Sequence, residues 1–371
     1  MLVPDDEMLC HQLATTFDHV AQSDLRWTER VVMYGFDTSG EVSVMTGLAR
    51  YPNRNVMDAY AMVTIGGKQA RVVRLSTEFN APRASLDSWT VGPYTYAVTE
   101  PLLGTRATLG GNEHGLSLHL DFHGTFPAYE QTPAFHRSRG RVREDARRYY
   151  QNGVVTGWIE LDGRRIDIDP EQWWFGRDHS WGVRHGPGGG SLDEGPGLQP
   201  TEVPDGVLYY MGIFQFDDRL VHFAQRETST GQRWQFEGEV LYPLATGRAP
   251  TPIIDVEHEL TFEPDLRVIS GGTFTVYQAD RTSTTLEVQP SCRFWPGLAG
   301  YNEYRGYASG MWRGPAFSDG FTVDLTDLDQ IGPVSLLSET LCTVRMGDRV
   351  GHGLVEMVCV GSYPRYGYTG W

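Results

Sequence analysis

The sequence predicts an all-β chain folded as two consecutive β-barrel domains behind a short N-terminal helix. Three observations predict it. Short alternating runs rich in Val, Thr, Tyr, Phe and Trp follow one another from residue 29 to the C-terminus, divided by Gly, Asn and Asp turns. The chain has 371 residues, more than one ordinary core organises and enough for two. No segment repeats with a fixed period of about 20 to 50 residues, which disfavours propellers and solenoids.

Taken in order, residues 1–28 form an N-terminal segment in which Leu9, Leu13, Phe17 and Val20 recur at helical spacing behind the candidate N-caps Asp5 and Asp6; one amphipathic helix is expected over 5–23. The first barrel is expected over 29–188, with strands VVMYGF, EVSVMTGLARY, AYAMVTI, QARVVRLS, SWTV, YTYAVTE, ATLGG, GLSLHLDFHG, GVVTGWIEL and RRIDID. Hairpin turns are expected at Gly66-Gly67 and Asp162-Gly163, where two-residue connections need positive φ. Residues 189–206, rich in Gly and Pro with acids among them, read as an exposed loop or lid. The second barrel is expected over 207–371, with GVLYYMGIFQF, RLVHFAQRE, RWQFEGEVLY, DVEHELTF, GTFTVYQA, TTLEVQ, GYASGMW, ETLCTVRM and GHGLVEMVCVGSY. Runs such as VLYYMGIFQF are apolar on both faces, as where one face meets a core and the other a cavity or a partner domain.

Thirty-one basic against 47 acidic residues give a net charge of -16, which disfavours nucleic acid and anionic membrane surfaces as partners. Lys68 is the only lysine and sits in a Gly-Gly turn, so Schiff-base chemistry is discounted. Cys10, Cys292, Cys342 and Cys359 are far apart and have no metal-ligand spacing, consistent with a reduced, cytoplasmic protein. No run approaches the ~20 apolar residues of a membrane span, and no signal sequence is expected. Nucleotide-binding, Walker, GxSxG and HExxH signatures are all missing, so no cofactor is expected.

The densest chemistry lies in EQWWFGRDHSWGVRH, residues 171–185. In an extended strand Trp173, Phe175, Arg177, His179 and Trp181 share one face, while Trp174, Asp178, Ser180 and Arg184 share the other. The first set makes an aromatic wall holding a cation and an imidazole that titrates near neutrality. The second reads as a clasp in which Asp178 binds Arg184. A direct Asp178–His179 dyad would need a bulge. His119, Asp121 and His123 share one face of GLSLHLDFHG; a solvated strand face is the expected reading and no metal site is assigned. The arginine-rich HRSRGRVREDARRYYQ reads as a salt-bridged connection. The Tyr149-Tyr150 and Tyr209-Tyr210 pairs are expected to pack, each able to send one hydroxyl inward.

Asp178-His179-Ser180-Trp181-Gly182 resembles the DHNWG core of the lipocalin-like superfamily that holds the carotenoid 1,2-hydratases (hydroxyneurosporene synthases), the AttH-like proteins and certain fungal Diels-Alderases. Gly351-x-Gly353-x-x-Glu356 followed by Gly361 resembles that superfamily's closing strand. Over its length the chain is similar to bacterial tandem lipocalin-like proteins of this group. The resemblance implies two tandem lipocalin-like barrels, a ligand cavity at or near their junction, and cofactor-free chemistry on an apolar substrate, with His179 and Trp181 beside the site. The chain departs from the pattern in having Gly176-Arg177 for the Tyr-His before the Asp, and Ser180 for Asn. It also lacks the Tyr and Asp that the hydratases carry on an early strand of the second domain, where Phe214 and Phe216 stand here.

The expected function is therefore a cofactor-independent enzyme acting on a hydrophobic, isoprenoid-like or polycyclic small molecule by acid/base hydration, dehydration, isomerisation or cyclisation. His179 would be the acid/base, Arg177 would fix its charge or hold a substrate oxygen, and Asp178 would orient or charge-pair. Trp173, Phe175, Trp181, Tyr210 and Phe214 would line the cavity. The alternatives are a non-catalytic hydrophobic-ligand-binding protein and a pericyclase-type cyclase in which Arg177 or Tyr210 polarises a carbonyl. The oligomeric state is left open.

Overall fold

A computed structural model describes residues 13–17, 19–79, 88–188 and 204–370, with Glu7 and Leu9. The first half gives β1 (Trp27–Asp37), β2 (Val42–Tyr51), β3 (Val56–Ile65), β4 (Gln69–Glu78), β5 (Ser88–Val91), β6 (Tyr94–Glu100), β7 (Gly104–Leu109), β8 (Leu116–Gly124), β9 (Tyr129–Glu130), β10 (Ala134–Ser138), β11 (Arg141–Leu161), β12 (Arg164–Ile168) and β13 (Trp173–Val183). The second gives β14 (Gly206–Gln215), β15 (Leu220–Thr228), β16 (Arg233–Leu241), β17 (Thr251–Phe262), β18 (Ile269–Gln278), β19 (Ser283–Phe294), β20 (Phe317–Asp324), β21 (Ser338–Met346), β22 (Arg349–Tyr363) and β23 (Tyr368–Thr369).

Two curled sheets result. In the second, β14 pairs with both β15 and β22, so the strands from β14 to β22, apart from β20, close into a ring. The first is a curled path running β4–β3–β2–β1–β13–β11–β8–β7–β6–β5. The turns expected at Gly66-Gly67 and Asp162-Gly163 have positive φ at all four residues, as a hairpin twisted to match its strands requires.

Three differences from the sequence reading have physical causes. Of the helix expected over 5–23, residues 5, 6, 8, 10–12 and 18 lie outside the described residues; those described from 13 to 23 form no α-helix, only turns, bends and irregular chain, and the short α-helix α1 (Leu328–Ile331) is in the second half. GYASGMW is a loop held by one bridge, Tyr304 to Tyr307, because Gly306 and Gly310 both have positive φ. FSDGFTVD, not among the expected strands, is β20, and it extends the edge of the first sheet by pairing with β4. An edge strand carries polar residues without cost because one of its faces meets water.

Among the described residues the core has three large clusters and a small one of Ala49, Tyr51 and Val56. One apolar cluster fills the first sheet, with Met33, Phe122, Trp173 and Phe175 in it. Another fills the second barrel, with Tyr210, Phe214 and Phe223. The third lies between them and draws Tyr34, Tyr129, Tyr150 and Trp174 from one sheet and Met211, Ile213 and Leu354 from the other. No helix among the described residues is long and apolar enough to cross a membrane.

Candidate active site at the domain junction

Strand β13 runs between β1 and β11, and strict alternation holds along it without a bulge. Its odd face points into the first sheet. Trp173 and Phe175 stack there at 5.7 Å between centroids. Arg177 gives two hydrogen bonds to the Gln151 side-chain oxygen and one, at 3.3 Å, to the Tyr149 hydroxyl. His179 meets Glu29 through Nε2 at 3.0 Å and the Tyr149 hydroxyl through Nδ1 at 3.3 Å, while Trp181 lies edge-on to the imidazole. Burial opposes ionisation of Glu29, but Arg50 and His179 prevail and bring its carboxyl down to about 2.

The even face points the other way, to the junction, so Asp178 and His179 form no dyad. Asp178 lies 3.9 Å from Arg148 Nε, not paired with Arg184, which donates to Ser180 Oγ at 2.9 Å. The expected clasp is thus replaced. Tyr210 and Phe214 are inside the second barrel, separated by the strand itself from the junction residues Tyr209, Met211 and Ile213. The expected aromatic residues therefore do not line one shared cavity.

What the junction does assemble is a set of carboxyl groups. Glu339 and Glu356 face each other across β21 and β22, on the side turned toward the first sheet. Glu237 and Glu239 come from β16, and Asp178 approaches from the opposite sheet. Burial drives the Glu339 carboxyl well above the ordinary carboxylate range, and repulsion from Glu356 and Asp178 pushes the same way against Arg148. Burial likewise raises Glu356, Asp178, Glu237 and Glu239. Two like charges on neighbouring strands in a poorly hydrated space repel, so ionisation of either acid makes ionisation of the other harder.

Around the acids stand phenols and one neutral imidazole. Tyr34, Tyr129 and Tyr150 are driven upward by burial and stay protonated. His222 lies tilted against Tyr129 at 4.3 Å between ring centroids, and burial brings it down to about 3, so its ring is neutral at pH 7. The junction also concentrates buried polar atoms without hydrogen-bond partners: the Tyr34 and Tyr129 hydroxyls, Trp174 Nε1, Asp178 Oδ1, Arg148 Nε, His222 Nε2, Glu237 Oε1 and Glu339 Oε2. Such groups are rare in a folded interior because each costs about 1–3 kcal/mol. Eight of them converge at the junction.

Gly176 explains how Tyr34 reaches this space. A Cβ at 176 would lie 2.8 Å from the Tyr34 ring, so the missing side chain leaves the volume that the ring fills. The position where the resembled pattern has a tyrosine is thereby covered by a tyrosine from the neighbouring strand.

Two clefts lead inward. One, of about 460 Å³, is lined by Phe126, Trp173, Trp174, Phe216 and His352. It adjoins the acids through Trp174, which lies 5.8 Å from Tyr34. The other, of about 40 Å³, holds no more than a few waters and ends on Arg148 and Tyr209.

Elsewhere the sequence candidates resolve into ordinary contacts. His119 bonds Asp121 at 2.7 Å, and Arg106 takes the second carboxylate oxygen. Among the described residues no group of His, Cys, Asp and Glu has the geometry to hold a metal. The arginine-rich stretch is part of β10 and β11, where Glu144 pairs with Arg226 across the junction at 3.1 Å. Glu339, Glu237 and His222 went unassigned in the sequence, and Glu356 was noted only as part of a strand pattern. The available signal was a single carboxylate in an otherwise apolar run, as in GLVEMVCV.

No curated protein matches the chain. Among solved structures, a protein of Nitrosomonas europaea provisionally called AttH superposes with a TM-score of 0.55 at 12% identity, over 91% of this chain and 94% of that one. Kievitone hydratase of Nectria haematococca gives 0.48 at 11% identity, over 90% and 89%. CghA gives 0.48 at 12%, over 90% and 88%. The first of these establishes a shared fold. The model of a family of unknown function, DUF8625, matches residues 2–369, and the chain belongs to that family.

Proposed function

We propose that the junction is the active site of a cofactor-independent acid catalyst acting on a small, hydrophobic, unsaturated molecule. The observation that carries this reading is the cluster of buried carboxyl groups, each pushed above the ordinary carboxylate range by burial, set against a wall of phenols. A carboxylic acid that stays neutral at pH 7 can deliver its proton to an electron-rich carbon–carbon double bond. Glu339 is assigned as donor, with Glu356 as the partner that keeps it protonated. The cation so formed would lie against the faces of Tyr34, Tyr129, Tyr150 and Trp174. Attack by water completes a hydration, loss of a neighbouring proton an isomerisation, and attack by a second double bond a ring closure. In each case His222 Nε2 can accept the released proton, since even a weak base suffices for so strong an acid, and the proton returns to Glu339. The 460 Å³ cleft is of a size to admit an isoprenoid-like substrate.

Incubation with prenylated phenols and polyenes in D2O tests this by mass spectrometry. Solvent deuterium should enter carbon with the wild-type protein and not with Glu339→Gln. Tight binding of the same compounds without chemical change would favour a carrier instead.

A second reading rests on the Glu29–His179–Tyr149 chain, which is arranged for proton transfer inside the first sheet. It requires that His179→Ala abolish turnover, whereas the junction reading requires that turnover persist.

A further inference from the structure

The cleft of about 460 Å³ has two zones of different chemistry. Its inner wall is aromatic, with Phe126, Trp173, Trp174 and Phe216 all at least nine-tenths buried. Phe36 backs this wall, 5.8 Å from the Trp174 ring and 6.1 Å from that of His352. The rim is acidic. Glu171 and Asp217 line it, both are exposed, and neither carboxylate has a hydrogen-bond or ion-pair partner among the described residues.

No fixed positive charge inside the cleft offsets these acids. No lysine or arginine lines it, and the arginines near its rim in sequence, Arg219 and Arg349, are bound to Asp218 at 2.8 and 2.6 Å. His352 is the one lining residue able to take up a positive charge, and burial favours its neutral form.

Aromatic rings and carboxylates act on a cation in the same direction. The face of a ring is its negative side, and its attraction for a cation grows where water is excluded. The rim carboxylates add a pull of longer range, which the chain's net charge of -16 reinforces. A ligand carboxylate would be repelled by the same field, and a neutral hydrocarbon would leave the rim unused.

We infer that this cleft takes a basic amine, a small hydrophobic molecule whose ammonium group is held between the aromatic wall and the carboxylates of Glu171 and Asp217. The hydrocarbon part would run inward along Trp174 toward Tyr34. The inference rests on the reading of the junction as a site for a small hydrophobic molecule, and not on the proton transfer assigned there to Glu339.

Geranylamine, geraniol and geranic acid share one unsaturated chain and differ in head group, so calorimetric titration of the wild-type protein with each at pH 7 and low salt is the test. Geranylamine should bind about tenfold tighter than geraniol, and geranate more weakly than either. The amine's advantage should shrink in about 0.5 M sodium chloride. The double variant Glu171→Gln, Asp217→Asn changes only exposed side chains, so the fold should be unharmed while that advantage falls about threefold. Geranylamine binding no tighter than geraniol, geranate binding the tightest, no binding of any of the three, or an advantage untouched in the double variant would overturn the inference. Deuterium entry into carbon is a separate readout. Its absence with the amine preference intact would count against acid catalysis alone, and its presence without that preference would overturn the amine assignment alone.

Discussion

The two faces of β13 carry residues of similar chemical promise into opposite surroundings. On the odd face every titratable group has a close polar partner: His179 has Glu29 and Tyr149, and Glu29 is held ionised by Arg50. On the even face Asp178 has one oxygen without a partner, and the acids opposite it are pushed toward the neutral form. The odd face looks into one sheet whose own core can satisfy it. The even face looks into a seam between two independently curled sheets, where neither can satisfy all the groups the other brings. The seam is where the proposed chemistry is placed, and the difference can be attacked by substitution.

The largest contrast should be in turnover. Glu339→Gln keeps shape and removes the acid, so deuterium incorporation should fall by about 10²- to 10⁴-fold, while His179→Ala should leave it within a few-fold. In stability the order reverses. Phe175→Ala empties a fully buried ring position in the first core and should cost about 3–5 kcal/mol in urea unfolding. Gly176→Ala sets a methyl against the Tyr34 ring and should cost about 1–3 kcal/mol while disturbing the junction. His179→Ala breaks a partly exposed hydrogen bond to Glu29, which Arg50 still holds, and should cost about 1 kcal/mol or less.

The smallest effect is the most diagnostic. Carboxyls raised in the folded state bind protons that the unfolded chain has released, so their contribution is complete at low pH and is lost as pH rises through their folded values. His222 and Glu29 act oppositely: both are depressed in the folded state, and their contributions are lost on acidification, for His222 from 6.5 toward about 3 and for Glu29 from 4.5 toward about 2. Well above pH 6.5 those two are constant, and any further decline of stability as pH rises should come from the raised acids. Thermal unfolding of Glu339→Gln over the same range should show a flatter profile.

The strands were legible because a period of two leaves its mark in every run from VVMYGF to GLVEMVCV, and the Gly66-Gly67 turn because its conformation excludes most residues. The division of β13 into two faces was legible for the same reason. Which face would meet the seam was not, since that depends on how one sheet docks on the other. Glu237, Glu339 and Glu356 belong to β16, β21 and β22, and only closure of the second barrel and docking of the first bring them to Asp178. Strand β20 escaped for a related reason, its partner β4 lying in the other half of the chain.

The central claim is that the seam holds carboxylic acids protonated at neutral pH, and infrared spectroscopy reports that state directly. At pH 7 the wild-type protein should show the carbonyl stretch of un-ionised carboxylic acid, shifted by D2O and diminished in Glu339→Gln and in Glu356→Gln. A spectrum with only ionised carboxylates, or an acid band untouched by both substitutions, would contradict the account.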